Sequence, residues 1–263
     1  LNIYQTSDDD NPIPITSAAE LANILTYNAE VTNADQHYIL TSDIYISDWG
    51  YSTGTSELGT ASFASLDGKG YNIYIEANAY ANFSTGFVFR EASADIGLFK
   101  EVSENTLIKN LNIVLRNYTN TGTQGTGLNI EFTRTSAQAG GRPNVNFGVL
   151  TARNYGLITN CQVVYETAPT SNNGEEQVAQ KTGVNLVPII TDSSATVVAG
   201  ALVGINELTG YLTNSRVEVD VAVGNSVIGG RYKLGGFVGQ NTNIISTSTF
   251  NNAGDVKIAN RTD

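Results

Sequence analysis

Short apolar runs alternate along the chain with clusters of Gly, Asn, Ser and Thr, the pattern of brief strands separated by turns. One segment departs from it. In Ile15-Thr16-Ser17-Ala18-Ala19-Glu20-Leu21-Ala22-Asn23-Ile24-Leu25, the residues Leu21, Ile24 and Leu25 fall on one helical face and Thr16 or Ser17 can cap, so a short helix is predicted. Beyond it, Tyr38 to Ile46 reads as paired strands, and Leu66 to Ile75 as a turn followed by an alternating strand. A short amphipathic helix ahead of a stack of strands is placed to cap its N-terminal end.

The pattern also repeats. Leu107-Ile108-Lys109-Asn110-Leu111-Asn112-Ile113 aligns without gaps with the segments starting at Leu157, Tyr211 and Ile244. Each follows a run of small and apolar residues: Ile96-Gly97-Leu98-Phe99, Phe147-Gly148-Val149-Leu150, Gly200-Ala201-Leu202-Val203 and Gly235-Gly236-Phe237-Val238. The unit is strand, turn, strand. Ile108, Ile158, Leu212 and Ile245 then form one apolar column, and Ile113, Val163, Val217 and Phe250 a second. Asn110, Asn160 and Asn214, with Thr247 in the last copy, form a polar column suited to an amide ladder. Four positions ahead of that column stand Gly156, Gly210 and Asn243, which tolerate the positive φ of a tight corner.

A unit that cannot bury its own apolar face gains stability by stacking on its neighbours, so the expected fold is an all-β parallel solenoid; a β-sandwich with coincidental alternation is the competing reading. The expected domain is single, residues 1–263, with a cap region at about 12–46 and rungs over 47–263. The Asn positions recur about every 50 residues, more than one rung needs, so the polar stretches at about 117–146 and 167–196 are expected to leave the stack as lateral loops or hairpins.

Composition narrows the partners. Of the 263 residues, 15% are charged, and the formal net charge is -11, which opposes binding to nucleic acid or anionic lipid. No stretch approaches the roughly 18 apolar residues of a membrane-spanning helix, so no membrane insertion is expected. Cys161, the one cysteine, allows no intrachain disulfide and is expected to be a small buried apolar group. The chain starts at Leu1 without a signal-peptide pattern and ends close behind a strand-like run, as expected of a processed chain or a fragment of a longer protein. Sequons stand at Asn82, Asn117 and Asn260, candidate glycosylation sites in a secreted protein.

Residues carrying chemistry are sparse. His37, the sole histidine, removes multi-histidine metal sites and most triads, and is expected in a surface loop. Asp8, Asp9 and Asp10 offer oxygen ligands to Ca²⁺ but lack the spacing and Gly of an EF-hand, so no cofactor is expected and a solvated acidic segment is the simpler reading. Glycoside hydrolysis needs a spaced carboxylate pair; Asp43, Asp48, Asp67, Glu76, Asp95, Glu131, Glu166, Asp192, Glu218 and Asp220 are scattered, and only Glu218 and Asp220 share a strand face. Tyr51, Tyr80, Tyr118 and Tyr155 are candidates for stacking on sugar rings.

The segments Gly200-Ala201-Leu202-Val203-Gly204-Ile205-Asn206 through Ser215, and Gly235-Gly236-Phe237-Val238-Gly239-Gln240-Asn241 through Ile245, resemble the GLUG repeat of bacterial surface proteins and adhesins. Phe147 to Val163 is a weaker copy, with Thr151 in place of the second Gly, and Ile96 to Ile113 is weaker still. The resemblance implies a right-handed parallel β-helix on an exported protein and carries no catalytic residues. The expected role is a non-catalytic extracellular structural protein, a subunit of a surface filament or layer or an adhesive scaffold. Its expected partners are copies of itself, other cell-surface proteins and glycans. Two alternatives stay open: a carbohydrate-binding adhesin acting as a lone stalk, and a polysaccharide lyase or glycoside hydrolase.

Overall fold

A computed structural model describes residues 10–26, 33–46, 59–77, 86–90, 95–117, 128–134, 144–167, 184–190, 196–218, 221–223, 227–228, 231–250 and 257–258. Among the described residues the fold is all-β apart from one α-helix, Ala18–Thr26, and a short 3-10 turn, Asn33–Asp35. The strands form five sheets, and every pairing recorded within them is parallel.

The chain visits the sheets in a fixed order. From Ser65–Asp67 it runs through Asn72–Ala77, Gly86–Arg90, Asp95–Ile96 and Phe99–Val102, each in a different sheet, and returns at Leu107–Lys109 to pair with Ser65–Asp67. We number the sheets first to fifth in this order. The next circuit is Leu107–Lys109, Asn112–Asn117, Leu128–Arg134, Asn144–Gly148 and Thr151–Asn154. The circuit above it is Leu157–Thr159, Gln162–Thr167, Val184–Ile190, Thr196–Gly200 and Val203–Asn206. A further one begins at Tyr211–Thr213 and passes Arg216–Glu218, Arg231–Gly235 and Val238–Asn241 before Ile245–Ser246 and Thr249–Phe250.

Register follows from the period-two alternation of each strand, because a slip by one residue would turn its apolar set outward. In the first sheet Tyr38, Leu66, Ile108, Ile158, Leu212 and Ile245 stack in line. In the second, Ile44, Ile73, Ile113, Val163, Val217 and Phe250 do the same. Both repeat columns read from the sequence are therefore real, and their middle members are buried, whereas Ile245 at the far end is 37% exposed. The fourth and fifth sheets meet at the small-residue runs, where Gly148, Gly200 and Gly235 are in register. A Cβ on Gly200 would strike the Val203 carbonyl and the Gly239 amide, so no larger residue fits that corner.

At the N-terminal end the helix lies against the core with Leu21 and Leu25 buried and Ile24 packed beside them. It starts directly after Ser17, one of the two expected caps, and Ile13–Ile15 ahead of it is a strand of the first sheet, in register with Tyr38 to Leu40. Ser17 Oγ accepts from the Glu20 amide at 3.2 Å, and Glu20 Oε2 accepts from the amide and the hydroxyl of Thr16, both at 2.7 Å. These bonds hold the Glu20 carboxyl below its ordinary pKa, the Thr16 side chain contributing most.

Two sequence expectations are corrected. Tyr38 to Ile46 is not a pair of strands bonded to each other: His37–Leu40 belongs to the first sheet and Ile44–Ile46 to the second. The intervening corner bonds across to the preceding strand, the Thr41 amide to the Ile15 carbonyl and the Ser42 hydroxyl to the Thr16 carbonyl. The stretches 117–146 and 167–196, expected to leave the stack, instead contribute Leu128–Arg134 and Val184–Ile190 to the third sheet, paired in parallel over seven positions. In the first of them apolar residues alternate with polar ones, Leu128, Ile130 and Phe132 against Asn129, Glu131 and Thr133, the period of a strand rather than of a loop.

Candidate functional site

Between the first and second sheets the four circuits that begin at Leu107, Leu157, Tyr211 and Ile245 turn a corner with one left-handed residue. Asn110, Asn160, Asn214 and Thr247 take it, with φ of 55°, 51°, 47° and 46°. Asn is the residue type besides Gly that most readily adopts this region, which explains why it recurs there. Gly156 and Gly210, expected to supply positive φ, do not; glycine is required at these places by crowding, since a Cβ on Gly210 would meet the Asn154 carbonyl and lie 2.6 Å from Asn206 Oδ1.

The Asn corners bond to one another along the stack. Asn110 Nδ2 donates to Asp67 Oδ1 at 2.9 Å, Asn160 Nδ2 to Asn110 Oδ1 at 2.7 Å, and the Thr247 hydroxyl to Asn214 Oδ1 at 2.6 Å. Between Asn160 and Asn214 no such bond closes. The ladder is on the outer surface, not in the interior as an amide ladder between rungs would be, and with the strand starts beside it it lines an open groove of about 590 Å³. Its walls are Lys69, Gly70, Asn110, Asn112, Asn160, Gln162, Asn214 and Arg216, with Cys161 at the floor. The register Asn72, Asn112, Gln162, Arg216 sets the second row. Arg216 is paired with the Glu218 carboxylate on its own strand. Cys161 is buried, as expected, and loss of solvent pushes its thiol pKa up to about 12.

A second Asn column, absent from the sequence reading, runs inside the stack. Asn154, Asn206 and Asn241 are in register in the fifth sheet, and the first two are fully buried. Asn154 Nδ2 donates to Asn206 Oδ1 and Asn206 Nδ2 to Asn241 Oδ1, both at 2.8 Å. Asn206 Nδ2 also donates to the Gly210 carbonyl at 3.0 Å, and Asn154 Oδ1 accepts from the Gly156 amide at 3.1 Å. The amides thus satisfy the backbone of the corner leading back to the first sheet. The signal was present in the Gly204-Ile205-Asn206 and Gly239-Gln240-Asn241 triplets, where an Asn closes the strand at the same place in both copies.

The remaining polar cluster lies across the outer faces of the fourth and fifth sheets. Arg153 donates to Asp95 Oδ1 through Nε and to Glu207 Oε1 through Nη1, each at 3.0 Å, and Asn146 Nδ2 donates to Asp95 Oδ1 at 2.6 Å. Glu101 occupies the position below Arg153. Burial raises its pKa, and the nearby Asp95 raises it further.

Other sequence candidates are dispersed. Asp10 is exposed, whereas Asp8, Asp9, Asn82, Asn260, Asp48, Asp192, Asp220, Tyr51, Tyr80 and Tyr118 lie outside the described residues. Asn117 closes the strand Asn112–Asn117 in register with Ala77 and Thr167. Glu76, Glu131 and Glu166 lie within strands of the second and third sheets. His37 is in a strand rather than a loop, its Nδ1 2.8 Å from Ser65 Oγ. Asp43 accepts from the Asn72 amide at 2.8 Å, and Tyr155 is partly buried with its hydroxyl 3.5 Å from Glu207. No group of three or more His, Cys, Asp or Glu side chains suited to a metal ion occurs among the described residues. Compared with known proteins, the chain matches no family model, no curated protein and no solved structure.

Proposed function

We propose that the chain is a right-handed parallel β-helix of the GLUG-repeat kind, exported to the cell surface, where it serves as a non-catalytic structural or adhesive scaffold. The observation carrying this reading is the in-register stacking of equivalent residues through successive circuits: apolar columns and a buried Asn column inside, an Asn ladder outside. Such a stack is extended by adding circuits and presents the same side-chain row at each step, which suits a rod or layer. The right hand is the sense that parallel crossover connections take almost without exception. The partly exposed carboxylates near Arg153 are held by that guanidinium, an arrangement of ion pairing rather than of an acid and a base poised on a substrate.

Negative-stain electron microscopy of the native surface material and of the purified chain tests the reading. Rods or ordered layers whose cross-section fits one such stack are the expected result. Compact globular particles, or turnover of a polysaccharide by the purified chain, would overturn it.

A further inference from the structure

We propose that the groove along the Asn110–Asn160–Asn214 corner is a binding site for a neutral polysaccharide chain. The site deepens the adhesive part of the scaffold reading and rests on it. Three features of the groove point to this ligand class.

The lining is made of amides. Asn110, Asn112, Asn160, Gln162 and Asn214 face it from three successive circuits. A carboxamide presents a donor and an acceptor side by side in one plane, which matches a pair of neighbouring hydroxyls as no single-function side chain does. These groups recur at the strand spacing of about 4.8 Å, close to the length of one pyranose unit, so a glycan lying along the stack meets an equivalent pair at each step.

Part of the lining is also uncommitted. Among the described residues, the Gln162 side-chain carboxamide has no hydrogen-bond partner, and the ladder breaks between Asn160 and Asn214, leaving Asn160 Oδ1 and Asn214 Nδ2 unjoined. The break is at the middle of the groove, beside Gln162.

The groove has an end wall. Where later corners use two residues, Asn110-Leu111 or Asn160-Cys161, the first has four, Gly68-Lys69-Gly70-Tyr71, because Asp67 is in register with Lys109 and Asn72 with Asn112. Lys69 and Gly70 take positive φ, 52° and 84°, to carry this longer turn outward. Tyr71, next in the chain and outside the groove's lining, is 39% exposed, an aromatic side chain of the type that stacks on sugars close to this end of the groove.

The charge balance disfavours other classes. Arg216 is neutralised by Glu218, leaving Lys69, among the described residues, as the groove cation with no carboxylate partner, too little for a nucleic-acid backbone. The polar walls offer nothing to a lipid tail.

The test is native affinity electrophoresis of the isolated chain through gels containing hydroxyethyl cellulose, laminarin or galactomannan, with polygalacturonate as the anionic comparison. Two variants remove groove amides without disturbing the backbone: Gln162→Ala at an outward strand position, and Asn160→Gly, which keeps the left-handed conformation. Glu104→Ala, on an exposed turn of a different corner, is the control. Retardation by at least one neutral polymer, weakened about tenfold or more in both groove variants and unchanged in the control, is expected. The proposal is overturned by no retardation in any neutral gel, by retardation that the groove variants leave intact, or by retardation in polygalacturonate alone that salt abolishes. Binding is read on the isolated chain, so its outcome is independent of whether the chain forms rods or layers.

Discussion

Asn206→Ala is the sharpest test of how the stack is held together. The side chain is fully buried and makes three hydrogen bonds, from Asn154 Nδ2, to Asn241 Oδ1 and to the Gly210 carbonyl. Truncation leaves Asn154 Nδ2 and the Gly210 carbonyl inside, whereas Asn241 is at the exposed end of the column. Asn154 Nδ2 retains the Tyr211 carbonyl at 3.3 Å and Asn241 Oδ1 retains the Asn243 amide at 3.4 Å, but both contacts are long, and Gly210 loses its amide donor. With two buried groups abandoned at about 1–3 kcal/mol each, one of them partly compensated, and water replacing the bond to the exposed Asn241, the loss is about 3 kcal/mol. The comparison is Asn160→Gly, which removes one bond on an exposed corner where water replaces it. That costs about 0.5–1 kcal/mol, offset in part by the ease with which Gly adopts positive φ. Urea unfolding followed by far-UV circular dichroism separates the two. With a slope of about 3 kcal/mol per molar, the midpoint falls by about 1 M for Asn206→Ala and by under about 0.3 M for Asn160→Gly. Equal shifts would refute the claim that the inner column, rather than the outer ladder, secures the corners.

Other expectations follow from the same geometry. Glu101 has a raised folded-state pKa, so its stabilising contribution is present below its unfolded pKa and is lost as pH rises through the folded value. Glu101→Gln is therefore more stable than the parent at neutral pH, with the difference closing toward acid; thermal midpoints across that range check it, and a constant difference would contradict it. The Cys161 thiol resists iodoacetamide at pH 8 in the native chain and reacts in urea, as mass spectrometry would show; ready labelling of the native chain would place it outside the core. Ile158→Ala at the middle of the first column costs about 2–5 kcal/mol, while Ile245→Ala, 37% exposed at its end, costs under about 1 kcal/mol. Similar losses at both positions would mean that the column is covered at its end.

The sequence was most legible where one residue class served one purpose. Ile108, Ile158 and Leu212 repeat because each must fill the same inward slot, and Asn110, Asn160 and Asn214 because each occupies the same left-handed corner. The amide ladder expected of the Asn column forms in part, but at an exposed corner rather than between buried rungs. The spacing of the column is identical for a buried ladder and for an exposed turn, and only the three-dimensional corner distinguishes them. The groove amides Asn112 and Gln162 escaped notice because outward strand positions carry no packing constraint, so Asn72, Asn112, Gln162 and Arg216 do not look like a column in the chain. Asp95, Arg153 and Glu207 belong to three different circuits, and nothing in linear order joins them. The strands at Leu128 and Val184 were hidden by polar flanking segments that outweigh seven residues, and the second of them carries Pro188 in place of alternation.

The length of chain between paired strands has a consequence for how the chain acquires its structure. Ile108 must wait for Ile158, 50 residues later, before its strand gains a neighbour above it, whereas Ile13 finds Tyr38 after only 25. At synthesis rates of about 5–20 residues per second, that wait is roughly 3–10 s per circuit, during which the newest strand edge is open to the wrong partner. The short interval beside the helix makes the N-terminal end the natural place to begin, with each completed circuit serving as the template for the next.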